Sequence, residues 1–210
     1  MVQKKESKDF QSSYNEYKEY IKAGKIAIAK KEYIKAIDNY SKAIELSPFE
    51  SSHYYYRGLA WYKKGNRKRA VEDFTKAVLL DSKSSSAYIY RGLCRMEEGE
   101  YREALSDFKM ALERDPKNAG IHNNLAWLYI TAQDEKYQDK RKALEHAKKA
   151  AEFSQEKNAE ILDTLAQAYF INGKVKEALE TERKALTLEP TNGVFSEKVK
   201  QYENSMGNER

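Results

Sequence analysis

Two consecutive stretches of equal length decide the fold: SSHYYYRGLAWYKKGNRKRAVEDFTKAVLLDSKS at 51–84 and SSAYIYRGLCRMEEGEYREALSDFKMALERDPKN at 85–118. Laid over one another, they set Tyr54 on Tyr88, Arg57 on Arg91, Gly58 on Gly92, Ala70 on Ala104, Phe74 on Phe108 and Ala77 on Ala111, a period of 34 residues. Small side chains at fixed places let two helices approach closely, and the aromatic fills the gap between them. Gly65 and Gly99 stand where the first helix of each stretch must turn into the second. A fixed period of about 20 to 50 residues marks stacked repeats, because one helix pair cannot bury its own apolar face.

The period extends in both directions. Upstream, 17–50 carries Tyr20, Ala23, Gly24, Ala27, Ala36, Tyr40, Ala43 and Pro48. Downstream, 159–192 carries Leu165, Ala166, Tyr169, Gly173, Ala178, Ala185 and Pro190, with Glu182 where the aromatic belongs. The intervening unit, 119–158, keeps Leu125, Ala126, Tyr129, Ala143, Ala147 and Ala150 only if about five residues are inserted in DEKYQDKR, 134–141. Pro48, Pro116 and Pro190 stop second helices that they cannot continue. Residues 1–16 read as a tail and the start of an extended first helix: Phe10, Tyr14, Tyr17 and Ile21 share one helical face, which places its start near Asp9. Phe195, Val199 and Tyr202 predict a capping helix within 193–210, and residues 1–8 and 204–210 are expected to be loose.

These slots resemble the tetratricopeptide repeat (TPR), whose pattern runs W-x2-L-G-x2-Y, then A-x3-F, then P. The resemblance implies an all-α protein, an α-α superhelix (TPR solenoid) of five helix-turn-helix repeats plus a C-terminal capping helix. It further implies that the first helix of each pair lines a concave groove. The matching positions are Ile21, Lys22 and Lys25; Tyr55, Tyr56, Leu59 and Tyr62; Ile89, Tyr90, Leu93 and Met96; Asn123, Asn124, Trp127 and Ile130; and Glu160, Asp163, Thr164, Gln167 and Phe170. The expected groove is aromatic and aliphatic in its middle, with lysines at one end and acids at the other. Tyr, Trp and Met are side chains that binding hot spots and paratopes favour. A peptide with apolar or aromatic residues, extended or helical, is the expected ligand, with Asn123 and Asn124 bonding its backbone. Two plainer roles stay open: these residues pack against neighbouring repeats, or the N-terminal helix lies in the groove. The family's clamp for acidic chaperone tails is absent, since its first-register positions read Ile21, Lys25, Tyr56, Ser86 and Tyr90.

Composition narrows the function classes. The 210 residues are 40% hydrophobic and 34% charged, enough apolar content for a core, and a mean hydropathy of −0.89 with no long apolar run predicts no membrane span. The formal charge of +5 equals that of repeat 51–84 alone, and its excess sits in KKGNRKR: Lys63, Lys64, Arg67, Lys68 and Arg69. That turn reads as a solvated edge, a contact for an acidic protein, or, as an alternative function, the phosphate-binding edge of an RNA-associated module. No P-loop, dinucleotide fingerprint or nucleophile elbow occurs, and neither a metal site nor a cofactor is expected. Cys94 reads as a buried structural thiol, His122 as a packing residue, and the acidic pairs Glu72 with Asp73 and Glu97 with Glu98 as solvated charge. The expected role is a non-catalytic cytoplasmic scaffold or adaptor that binds protein partners, with self-association left open.

Overall fold

The computed structural model describes residues 2–207, with side chains from Tyr14 onward. Among the described residues there are eleven α-helices and no strand. They are α1 (Val2–Ala29), α2 (Tyr33–Leu46), α3 (Ser51–Lys63), α4 (Arg67–Leu80), α5 (Ser85–Glu97), α6 (Tyr101–Arg114), α7 (Ala119–Thr131), α8 (Lys140–Phe153), α9 (Ala159–Ile171), α10 (Val175–Leu188) and α11 (Gly193–Gly207). The chain forms two compact units, Met1–Glu98 and Gly99–Arg210. No described helix is long and apolar enough to cross a membrane.

In the N-terminal unit, α1 packs on α2, α2 on α3, α3 on α4 and α4 on α5. The second helices bury the small and aromatic slots: Ala36, Tyr40 and Ala43 in α2, and Ala70, Phe74 and Ala77 in α4. Their spacing of four and three residues puts them on one helical face. The facing glycines are required by close approach, since a Cβ on Gly24 would stand 2.8 Å from the Tyr40 ring. Gly65 closes the α3–α4 turn at φ 90°, a conformation that costs a glycine almost nothing. The turn after α1 instead uses Lys31 at φ 60°.

α1 corrects the sequence reading at its start. The helix begins at Val2 rather than near Asp9, and no glycine or proline in residues 2–8 stops it. The expected loose segment 1–8 is therefore helical from Val2, and the Phe10 side chain lies outside the described residues. With 28 residues against 14 in α2, α1 is about 42 Å long against about 21 Å at 1.5 Å per residue. α1 also meets α3 near the start of that helix, where Tyr17 Oη lies 3.0 Å from His53 Nε2.

In the C-terminal unit, α6 packs on α7, α7 on α8, α8 on α9, α9 on α10 and α10 on α11. The face of α8 is all alanine where it is buried, at Ala143, Ala147, Ala150 and Ala151. The inserted stretch is an ordered turn. It contains a 3-10 segment at Glu135–Tyr137, the Tyr137 ring lies 5.6 Å from that of Tyr101, and the Gln133 backbone N–H donates to Tyr101 Oη at 3.1 Å. Asp139 then caps α8, accepting from the backbone N–H groups of Arg141 (3.1 Å) and Lys142 (3.0 Å). α11 runs on through Gly207, beyond the expected loose start at 204, and buries Phe195 and Tyr202 against the last pair. The rest of that expected tail, 208–210, lies outside the described residues.

Candidate functional site

Tyr55, Tyr56, Leu59 and Tyr62 project from α3, and Ile89, Tyr90, Leu93 and Met96 from α5, all half-buried. The structure gathers all four tyrosines. Tyr90 meets Tyr55 edge-on at 6.0 Å and Tyr62 at 5.7 Å, and it stacks on Phe74 at 5.7 Å. Tyr56 stands edge-on to Tyr55 at 5.2 Å and stacks on buried Tyr40 at 5.5 Å. Such tilted and edge-on pairs suit the ring quadrupole. Tyr55, Leu59, Tyr62 and Tyr90 also pack on a core of Ala70, Phe74 and Cys94, so each has a buried side and a solvent side. Burial pushes the Tyr55 and Tyr62 hydroxyls up to about 12, which keeps this face uncharged at any physiological pH. The Tyr62 hydroxyl donates to Glu97 Oε1 at 3.0 Å.

In the C-terminal unit, α7 carries Asn123, Asn124, Trp127 and Ile130, and α9 carries Gln167. Trp127 is 37% exposed, a large apolar side chain left open to solvent. Asn123 Oδ1 is buried with no hydrogen-bond partner among the described residues, an uncommon state for a buried polar atom. Ile130 packs against the α8–α9 core, and Gln167 Nε2 donates to Asp163 Oδ2 at 3.2 Å. Asp163 also pairs with Lys198 of α11. The expected acidic end is therefore partly neutralised by the capping helix.

The basic turn is less open than its sequence suggests. Lys63, Lys64, Lys68 and Arg69 are exposed, but Arg67 is salt-bridged to Glu97 and donates from Nη1 to the Tyr62 carbonyl at 2.7 Å. The Arg67 guanidinium lies 4.5 Å from the Tyr62 ring centre, and Arg69 and Lys64 lie 4.6 and 5.3 Å from that of Trp61. The aromatic faces beside the turn thus carry cations of their own.

Two acidic side chains read as solvated are structural. Asp73 is buried and accepts a two-pronged pair from Arg57, Nε at 2.9 Å and Nη2 at 2.7 Å, while Arg57 Nη1 donates to Ser41 Oγ at 3.1 Å. Burial nevertheless raises the Asp73 pKa against the pull of Arg57. Glu97 accepts from Tyr62 and Arg67 as described. The helix periodicity of α4 placed Asp73 beside Phe74 on the buried face, a signal the charge reading passed over.

Cys94 is fully buried, and burial pushes its thiol up to about 12, the opposite of an activated nucleophile. No repeat slot or spacing foretells that His122 and His146, 24 residues apart, meet: their Nδ1 atoms are 2.9 Å apart, and His122 Nε2 donates to the Pro116 carbonyl at 3.1 Å. That bond makes His122 Nδ1 the acceptor and His146 Nδ1 the donor, and burial lowers His146 to about 4, so the pair is neutral. No group of three or more His, Cys, Asp or Glu among the described residues is arranged to hold a metal.

Profiles of the tetratricopeptide repeat match residues 7–50, 54–84, 85–118 and 108–145. A profile described as the prolyl 4-hydroxylase peptide-substrate-binding domain matches 136–208. Among solved structures, a tetratricopeptide repeat protein of Parabacteroides merdae superposes with a TM-score of 0.74 at 19% identity, over 92% of this chain and 74% of its own. MamA of Desulfovibrio magneticus gives 0.71 at 20% identity, over 84% and 97%. YrrB, described as a TPR protein with an unusual peptide-binding site, gives 0.65 at 20% identity, over 86% and 90%. At these identities the likeness is one of fold. No curated protein sequence matches the chain.

Proposed function

Because the chain is a tetratricopeptide repeat protein, we propose that it is a non-catalytic adaptor that binds a peptide segment of a partner protein on the faces of its first helices. The observation that carries this reading is the uncharged, half-buried set of tyrosines and aliphatics on α3 and α5. Their inner sides are fixed by the Phe74 core, so little side-chain entropy is left to lose on binding. In the C-terminal unit, exposed Trp127 supplies a second apolar contact, beside the half-buried side chains of Asn123 and Asn124. Peptide binding by YrrB and by the prolyl 4-hydroxylase domain supports this use of the fold. The RNA reading of 63–69 is weaker, since Arg67 is already engaged by Glu97 and the Tyr62 carbonyl, and Lys64 and Arg69 lie over the Trp61 ring on which a base would stack.

The test uses residues outside the Phe74 core. Met96→Ser with Trp127→Ser, in protein of unchanged helicity, is expected to cut partner recovery in quantitative affinity capture by at least about tenfold, the loss of one or two hot spots. Undiminished recovery contradicts the reading.

A further inference from the structure

Glu182 occupies the place in α10 that Tyr40 holds in α2 and Phe74 in α4. That place is closed from two sides. Tyr40 lies against Gly24 of its own pair and stacks on Tyr56 of the next first helix. For Glu182 the next first helix is α11, and the side chain is 0% exposed. Neither of its carboxyl oxygens accepts a hydrogen bond from a described donor, and the side chain it meets is the Asp163 carboxylate, to which only a protonated Glu182 can donate. A buried carboxylate without a partner is too costly to persist, so the group keeps its proton.

The acting neighbours come from both flanking helices. α9 supplies Asp163, itself held by Lys198 and Gln167; α11 supplies Lys198 and the buried phenol of Tyr202, whose ring stacks on Phe170 at 4.8 Å. On the rim, Arg183 of α10 pairs with Glu203 of α11 at 2.6 Å. With Glu182 protonated, the inner set is neutral: one carboxylate, Asp163, against one ammonium, Lys198. If the proton leaves to solvent, two carboxylates share that ammonium in a site closed to water.

We propose that α11 is a proton-dependent latch, docked on α9 and α10 while Glu182 is a neutral acid and released when Glu182 ionises beside Asp163. Burial first, then the charge of Asp163, outweigh Lys198 and push Glu182 up to about 8. Release uncovers the apolar face of Ala166, Val175, Ala178 and Leu179 that Tyr202 covers.

Hydrogen exchange of the full chain, followed by mass spectrometry with times scaled for intrinsic rates, tests the latch at pH 6 and pH 9. The opening equilibrium of α11 is expected to rise about tenfold per pH unit up to about pH 8, with α3 as an unchanged reference. Glu182→Gln, which cannot ionise, is expected to keep α11 equally protected at both pH values. Equal α11 protection at pH 6 and pH 9 in the unaltered protein, or a rise that persists in E182Q, overturns the proposal. Should E182Q fail to fold, carboxyl-carbon NMR on the unaltered protein decides: titration of Glu182 above pH 7 supports the latch, and titration near an ordinary glutamate value overturns it. This outcome is independent of peptide capture by α3 and α5.

Discussion

A Cβ placed on Gly58 would lie 3.0 Å from the Phe74 ring and 3.2 Å from the Asp73 Cβ, inside contact distance. Gly58→Val is accordingly expected to destabilise the N-terminal unit by about 1–3 kcal/mol, the usual cost of overpacking, read as a lower denaturant midpoint. An unchanged midpoint would show that α3 and α4 can move apart. Gly58, Ala70 and Phe74 were legible at this scale because their chemistry repeats at a fixed distance along the chain. Glu182 was legible as an exception to the same rule. The His122–His146 contact and the two-pronged hold of Arg57 on Asp73 were not legible, since they depend on rotamers rather than on spacing. The sign of the Glu182 effect follows from its raised folded-state pKa. Its stabilising contribution is complete below about 4.5 and is lost as pH climbs to about 8.

Helices differ in how openly their ends are written. Second helices end two residues before Pro48, Pro116 and Pro190, and α4, α5, α7, α8 and α9 begin at side-chain caps on Asn66, Ser84, Asn118, Asp139 and Asn158. The start of α1 carries no such mark, which is why apolar periodicity alone set it several residues late. The insertion at 134–141 was visible only as a break in the period. Its order comes from Tyr101, contributed by α6, and from the Asp139 cap, neither of which a repeat pattern specifies. Replacing that cap, Asp139→Ala, is expected to cost about 1 kcal/mol and to speed amide exchange in the first turn of α8. Unchanged exchange there would mean that the other contacts of the turn, Tyr137 on Tyr101 and Gln138 Nε2 on the Ala132 carbonyl among them, hold it without the cap.

Across the whole molecule, the repeat count, the all-helical class and the capping helix could be read from sequence, because each follows from periodicity and from the need to bury an apolar end. The use of the surfaces could be read only in outline. The +5 excess concentrates in one repeat, yet the structure shows Arg67 engaged with Glu97 and four cations of that turn lying over Trp61 and Tyr62. The tyrosine face, by contrast, keeps solvent sides on a fixed base, which is what a peptide-binding surface needs. The most direct measurement places a photo-reactive benzoylphenylalanine at Leu59 on that face, or at exposed Lys76 on α4, in the living cell. A partner that binds the first-helix face is predicted to give discrete covalent adducts from position 59 and few from position 76. Adducts from 76 equal to or exceeding those from 59 would contradict the account.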